Sequence, residues 1–226
     1  PLLSNLIAVS KVCLLCFFTV SNTWASDLPA QITKSVQHHF PGMDSEQIAV
    51  GDLNQDGLID FAVIVPDKKQ ENYSRIVLML ATSTSDFTRY AISGLIPDSS
   101  RRQPGNYLEI KRNSLFLRRT GSNGALSDWS ESFQFQFRDQ ALVLIGEESA
   151  TLGKGERADL AEGESINYLS KQVIFWRKDG AKRKEVHKKF TIPVLTQLAS
   201  FAYAKHMQLR PKFLRSDLDQ NFQILP

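Results

Sequence analysis

Residues 133–137 read Phe-Gln-Phe-Gln-Phe, and no other feature constrains the fold of this chain as strongly. Large apolar and uncharged polar side chains alternate strictly, which is the period of a strand with one face in a core and the other in water. A helix would spread the three rings around its circumference. Arg138-Asp139-Gln140 then turns the chain into residues 141–145, apolar throughout and so expected to be covered on both faces. A connection this short permits only antiparallel pairing.

The same kind of signal recurs. Strands are predicted at 47–51, 61–65, 75–81, 87–92, 107–111, 115–119, 166–176 and 182–190. Asn113-Ser114 marks one hairpin, and the Asp179-Gly180 pair favours a tight turn in another. Ile32, Val36 and Phe40 recur at helical spacing in residues 28–40, and Pro41-Gly42 stops that helix. Near the other end Thr191 can cap a second helix with Pro193 in its first turn. Val194, Leu195, Leu198, Ala199, Phe201 and Ala202 would be its buried side. Two polar stretches, 97–106 and 147–164, are expected to be mobile connections. The tail from Arg210 has no period, though Phe213, Leu214, Phe222 and Ile224 suggest that it docks. The expected fold class is mainly β: an antiparallel sandwich or strongly curved sheet with an N-terminal and a C-terminal helix.

Composition agrees with a folded domain. The 226 residues are 42% hydrophobic and 23% charged, which excludes a disordered tail, a collagen and a coiled coil. A net charge of +3 does not by itself impose a nucleic-acid partner. Lys11 is the only charged residue before Asp27, an apolar run follows from Val12 to Val20, and Thr23-Trp24-Ala25 presents small residues around a cleavage point. That order predicts a signal peptide over 1–25 and one exported domain over 26–226, periplasmic or extracellular. The apolar run is shorter than the ~20 residues that span a bilayer, and no transmembrane segment is expected after cleavage. Cys13 and Cys16 leave with the signal. A disulfide framework and a cysteine nucleophile are therefore excluded from the exported domain.

The sharpest motif is Asp52-Leu53-Asn54-Gln55-Asp56-Gly57-Leu58-Ile59-Asp60. Calcium takes six to eight oxygens at roughly 2.3–2.6 Å. In a tight curl, alternate residues point inward, so Asp52, Asn54 and Asp56 can supply side-chain oxygens. Gly57 permits the bend, the Leu58 carbonyl faces in, and Asp60 closes the set directly or through water. Without an ion the curl crowds carboxylates, and two charges ~5 Å apart repel by about 3 kcal/mol at an effective dielectric near 20. The competing account is a polar hairpin in which the Asp and Asn side chains bond the turn backbone.

This is not a full EF-hand, because Val63 stands where that loop carries a bidentate Glu, and the flanks read as strands. The run from Val50 to Val63 resembles the calcium loop of FG-GAP repeats, as in integrin α-chain propellers. The resemblance implies ligand roles for Asp52, Asn54, Asp56, Leu58 (main chain) and Asp60, with Ca2+ as cofactor. A propeller needs repeated blades, and no second copy of the motif appears, so the loop is similar without the propeller. The wider layout resembles a group of exported bacterial proteins that carry one such loop, through Gly121-Ser122, residues 133–137 leading to Leu144-Ile145-Gly146, and Asn167-Tyr168-Leu169-Ser170-Lys171. That second resemblance implies no activity.

Residues 171–189 are strongly basic. Lys171, Arg177, Lys182, Lys184 and Lys188 are candidate anion-binding residues, with Tyr168, Phe175 and Trp176 nearby. Anionic polysaccharide, lipid phosphates, extracellular DNA or an envelope protein are the partner classes this suggests. The alternative role is a solvated edge whose lysines deter further strand pairing. No H-E-x-x-H, G-x-S-x-G or P-loop is present. Asp128, Glu131, Glu147, Glu148 and Glu164 can supply paired carboxylates for a cell-envelope hydrolase. His38 and His39 are adjacent and diverge on a helix, and His187 and His206 stand alone in the sequence. The leading expectation is an exported non-catalytic binding or structural module stabilised by one calcium ion.

Overall fold

The computed structural model describes residues 28–42, 47–98, 105–192 and 194–210. The expected signal peptide, Arg101-Arg102 in the first polar stretch, Pro193 and the tail beyond Arg210 lie outside the described residues.

The described residues form two antiparallel sheets and two helices, mainly β and without a barrel. Helix α1 (Ala30–His39) comes first. Strands β1 (Ile48–Gly51), β2 (Asp60–Pro66), β3 (Tyr73–Ala81) and β4 (Phe87–Ile92) then pair in sequence order, and the short β5 (Ile96–Pro97) adds to β3. The second sheet is a single seven-stranded meander. Its strands are β6 (Asn106–Lys111), β7 (Ser114–Ser122), β8 (Ser127–Arg138), β9 (Ala141–Gly153), β10 (Leu160–Asn167), β11 (Gln172–Asp179) and β12 (Lys182–Lys189).

Alternation decides how the layers stack. On β2 and β3, Phe61, Val63, Val77 and Met79 face α1, where Ile32 and Val36 cover them. Ala62, Ile64, Ile76 and Leu78 face the second sheet instead. There they meet Leu108, Leu115, Leu117, Phe133, Phe135 and Leu144. The first sheet is thus buried on both sides, which is why its central strands carry continuous apolar runs. At the centre of the shared core Phe201 packs edge to face on Phe135 and tilted against Phe133. Among the described residues no helix is long and apolar enough to cross a membrane.

Three expected elements differ. The polar stretch 147–164 is not a loop: it forms the outer half of β9 and the start of β10, joined through a 3-10 turn at Gly155–Arg157. The ladder satisfies its backbone groups whatever the side chains are. Its polar composition reflects a sheet that runs past the apolar core, which ends near Phe133 on β8 and Leu144 on β9. Second, the run 166–176 is not one strand. Asn167 ends β10, its side-chain oxygen accepts from the Ser170 N–H at 2.9 Å, and Lys171 at φ 55° brings the chain back as β11.

Third, no helix starts at Thr191. Val194 is exposed, and the Thr196 carbonyl accepts from the Leu144 N–H at 2.8 Å while Gln197 bridges Val143. The inner half of β9 lacks β10 as a neighbour, since that strand pairs only with Gly146 to Leu152. The extended segment fills the vacant side of β9 and cannot also be helical. Leu198 and Phe201 are buried as expected, but through a 3-10 turn at Leu198–Ser200, and α2 (Tyr203–Leu209) follows it.

Two tryptophans lie against glycines on neighbouring strands. Trp129 pairs with Gly121, and Trp176 with Gly163. A Cβ on Gly163 would run into the Trp176 ring and the Ser149 carbonyl. Gly163→Ala is expected to lose about 1–3 kcal/mol by overpacking, read as a lower urea midpoint with an unchanged slope.

Candidate functional site

The 52–60 loop leaves β1 and enters β2, so both its ends are held by one antiparallel pair in which Gly51 opposes Asp60. Gly57 at φ +83° and Gln55 at φ 64° make the bend. The Asp52 carboxylate folds back over the loop and accepts from the N–H groups of Gln55 at 2.6 Å and Gly57 at 3.0 Å. Asp56 accepts from the Leu58 N–H at 2.8 Å and from the Asn54 amide at 2.8 Å. The Asn54 side-chain oxygen accepts from the Asp56 N–H at 3.2 Å.

Asp60 differs from the others. It is fully buried. One carboxylate oxygen accepts from the Leu53 N–H at 2.9 Å and the other from the Ala81 N–H at 3.0 Å. It therefore ties the start of the loop to the end of β3. Burial raises its pKa, the bonds from Ala81 and Leu53 oppose that, and the negative charge of Asp56 adds to the rise.

Every side-chain oxygen of Asp52, Asn54, Asp56 and Asp60 thus already accepts at least one hydrogen bond. Those of Asp52, Asn54 and Asp56 each retain a second lone-pair direction. Among the described residues, no three His, Cys, Asp or Glu side chains are gathered closely enough to form a metal cluster.

Four of the five carboxylates read as candidate hydrolytic acids have other partners, and the fifth, Glu148, is exposed. Asp128 pairs with Lys154 at 2.6 Å, which holds its pKa below the usual range. Glu131 pairs with Arg119 at 2.6 Å and accepts from the Tyr203 hydroxyl at 2.9 Å. Glu147 and Glu164 share Arg210, and Ser149 donates to Glu164 at 3.1 Å.

Glu147 is the centre of a cluster that the sequence does not announce. It is buried where the apolar core gives way to the polar half of the sheet. Its carboxylate lies 2.7 Å from His206 Nε2, accepts from the Tyr168 hydroxyl at 2.8 Å, and pairs with Arg210 at 3.0 Å. Burial alone would raise its pKa; the His206 hydrogen bond, the Arg210 and His206 charges and the Tyr168 bond outweigh it and leave the group below its ordinary value. Burial and the Glu147 charge push the Tyr168 hydroxyl far above its own. A general acid needs a raised pKa, so Glu147 is suited to anchoring and not to proton donation. His206, alone in the sequence, binds α2 to β9 through this pair. The signal for it is faint: a charged Glu147 directly after an apolar run.

Strand register puts Arg177, Lys182, Lys184 and Lys188 on one face of the β11–β12 hairpin: Arg177 opposes Lys184, Lys182 is two residues before Lys184 and Lys188 four residues after it. Lys171 lies in the preceding turn. Lys178, Arg183 and Lys189 occupy the other face. Arg177 is 3.1 Å from Glu162. Arg183 pairs with Glu185 at 2.8 Å and stacks over Trp176 at 4.7 Å.

Comparison of the chain with family models, with curated proteins and with solved structures finds no match.

Proposed function

We propose that the chain is an exported, non-catalytic binding or structural module whose 52–60 loop is stiffened by one calcium ion. The observation that carries this reading is the crowding of oxygen donors in one curl: the Asp52, Asn54 and Asp56 side chains fold back over the 52–60 loop, and the Asp56 charge adds repulsion to the pKa rise that burial chiefly gives Asp60. A divalent cation relieves that repulsion. The donors are all hard oxygens, the class calcium prefers. Asp52, Asn54, Asp56 and the Leu58 carbonyl would hold the ion, with Asp60 joining from the base of the loop directly or through water. The ion would supply charge neutralisation and loop rigidity. The similarity of the motif to FG-GAP loops supports the same assignment, and the apolar run before Thr23-Trp24-Ala25 supports export to a calcium-rich compartment.

Thermal melting with added calcium and with EDTA tests the reading. Calcium at a hundredfold its Kd adds ~2.7 kcal/mol. For a chain of this size that raises Tm by roughly 5–10 °C. Asp56→Ala is expected to abolish the shift. Identical melts in calcium and EDTA would mean that the hydrogen bonds of the loop close it without an ion.

A further inference from the structure

Residues 171–189 carry eight basic and two acidic side chains, a net +6 in a chain whose total is +3. Everything outside this hairpin is therefore net −3. The excess is not spread over the sheet; it is concentrated on its last two strands, with β12 at the edge of the order. We infer that the outer edge of the β11–β12 hairpin is a binding site for a linear anionic polysaccharide. This inference does not rest on the calcium reading.

Four features select that partner. The two arginines of the hairpin are engaged, Arg177 with Glu162 and Arg183 with Glu185 and Trp176. Bidentate phosphate recognition, for which arginine is suited, is not what this surface offers. Lys171, Lys182 and Lys189 present exposed ammonium groups instead. These are hydrated point charges that suit spaced carboxylates or sulfates. Second, Trp176 has Gly163 against its ring and Arg183 stacked over it, so it is no open platform for a nucleic-acid base.

Third, the lysines lie on both faces of the hairpin, so the charge wraps an edge. A flexible chain can follow an edge, whereas a duplex or a bilayer needs one broad face. On one face of β12, Lys182 and Lys184 stand ~6.8 Å apart and Lys188 follows beyond Val186; on the other, Glu185 and His187 separate Arg183 from Lys189. Fourth, among the described residues no strand pairs with the outer side of β12. Its outward N–H and C=O groups are available to sugar hydroxyls, which both donate and accept.

The test is binding of the full chain to polygalacturonate in EDTA, followed by titration calorimetry at rising salt. Neutral dextran is the blank, and duplex DNA and anionic phospholipid vesicles are the competing partners. Binding is expected at low salt and is expected to weaken roughly tenfold to a hundredfold between 50 and 200 mM, as about four charges are neutralised. Lys171→Glu/Lys182→Glu/Lys189→Glu should weaken it at least tenfold. Lys34→Glu/Lys68→Glu/Lys69→Glu makes the same change in net charge at exposed sites elsewhere and should leave binding within twofold. No binding at low salt, equal loss in both triple variants, or tighter binding to DNA or vesicles than to polygalacturonate would each overturn the inference.

Discussion

Replacing Glu147 with alanine is expected to cost about 3–5 kcal/mol, because it leaves Arg210 and His206 facing a site that has lost its negative charge. For a domain of this size the loss lowers Tm by roughly 6–20 °C. The size follows from burial: Glu147, His206 and Arg210 are at most 10% exposed at their side chains, so water cannot replace the missing partner. Glu147→Gln separates charge from shape. It can still accept from Tyr168, and should cost less than alanine. Acid titration of stability gives an independent readout. The folded-state pKa of Glu147 is depressed. Its contribution is therefore complete above the ordinary carboxylate range and is lost as pH falls through the depressed value. Urea midpoints over a pH series should show this decline in the parent chain and a shallower one in Glu147→Gln. Parallel declines in both would remove the ionised carboxylate from the account.

Asp60→Ala is the second large effect, expected at about 3–5 kcal/mol. It leaves the Leu53 and Ala81 N–H groups buried without acceptors, and each such group costs ~1–3 kcal/mol. Asp60→Asn retains one acceptor and turns an amide N–H2 toward the other donor, so about half the loss is expected. The pH dependence has the opposite sign to that of Glu147. Burial raises the pKa of Asp60 in the folded state. The folded chain then holds this proton more tightly than the unfolded chain. Stability attributable to Asp60 falls as pH rises from the ordinary carboxylate range to the raised value. Asp60→Asn should abolish that component. Hydrogen exchange at Leu53 and Ala81 reads the same event locally, with both amides losing protection in Asp60→Ala.

The two carboxylates show where a sequence pattern suffices and where it does not. Asp60 stands at a diagnostic spacing from Asp52, yet the spacing is silent about Ala81, which comes from another strand. The buried second role of Asp60 depends on β2 pairing with β3. Glu147 has no local signature beyond its place at the end of an apolar run. Its partners lie 21, 59 and 63 positions away, on a turn, on α2 and just past α2. Thr191-Ile192-Pro193 illustrates the converse. Its helix-start chemistry is sound locally, but β9 has an unfilled side, and the extended chain at 196–197 fills it.

Alternation and turn chemistry in the sequence determined the β class, the antiparallel order of neighbouring strands and the first helix, because each depends on residues a few positions apart. The spacing of Asp52, Asn54, Asp56 and Gly57 likewise determined that a curled polar loop joins β1 to β2. Tertiary structure alone decided that the polar segment 147–164 would be strand, that Asp60 would be buried, and that His206 and Arg210 would meet Glu147. Those outcomes depend on which backbone groups still lack partners once the sheets have formed, and on charges brought together from distant parts of the chain. A one-dimensional pattern records neither.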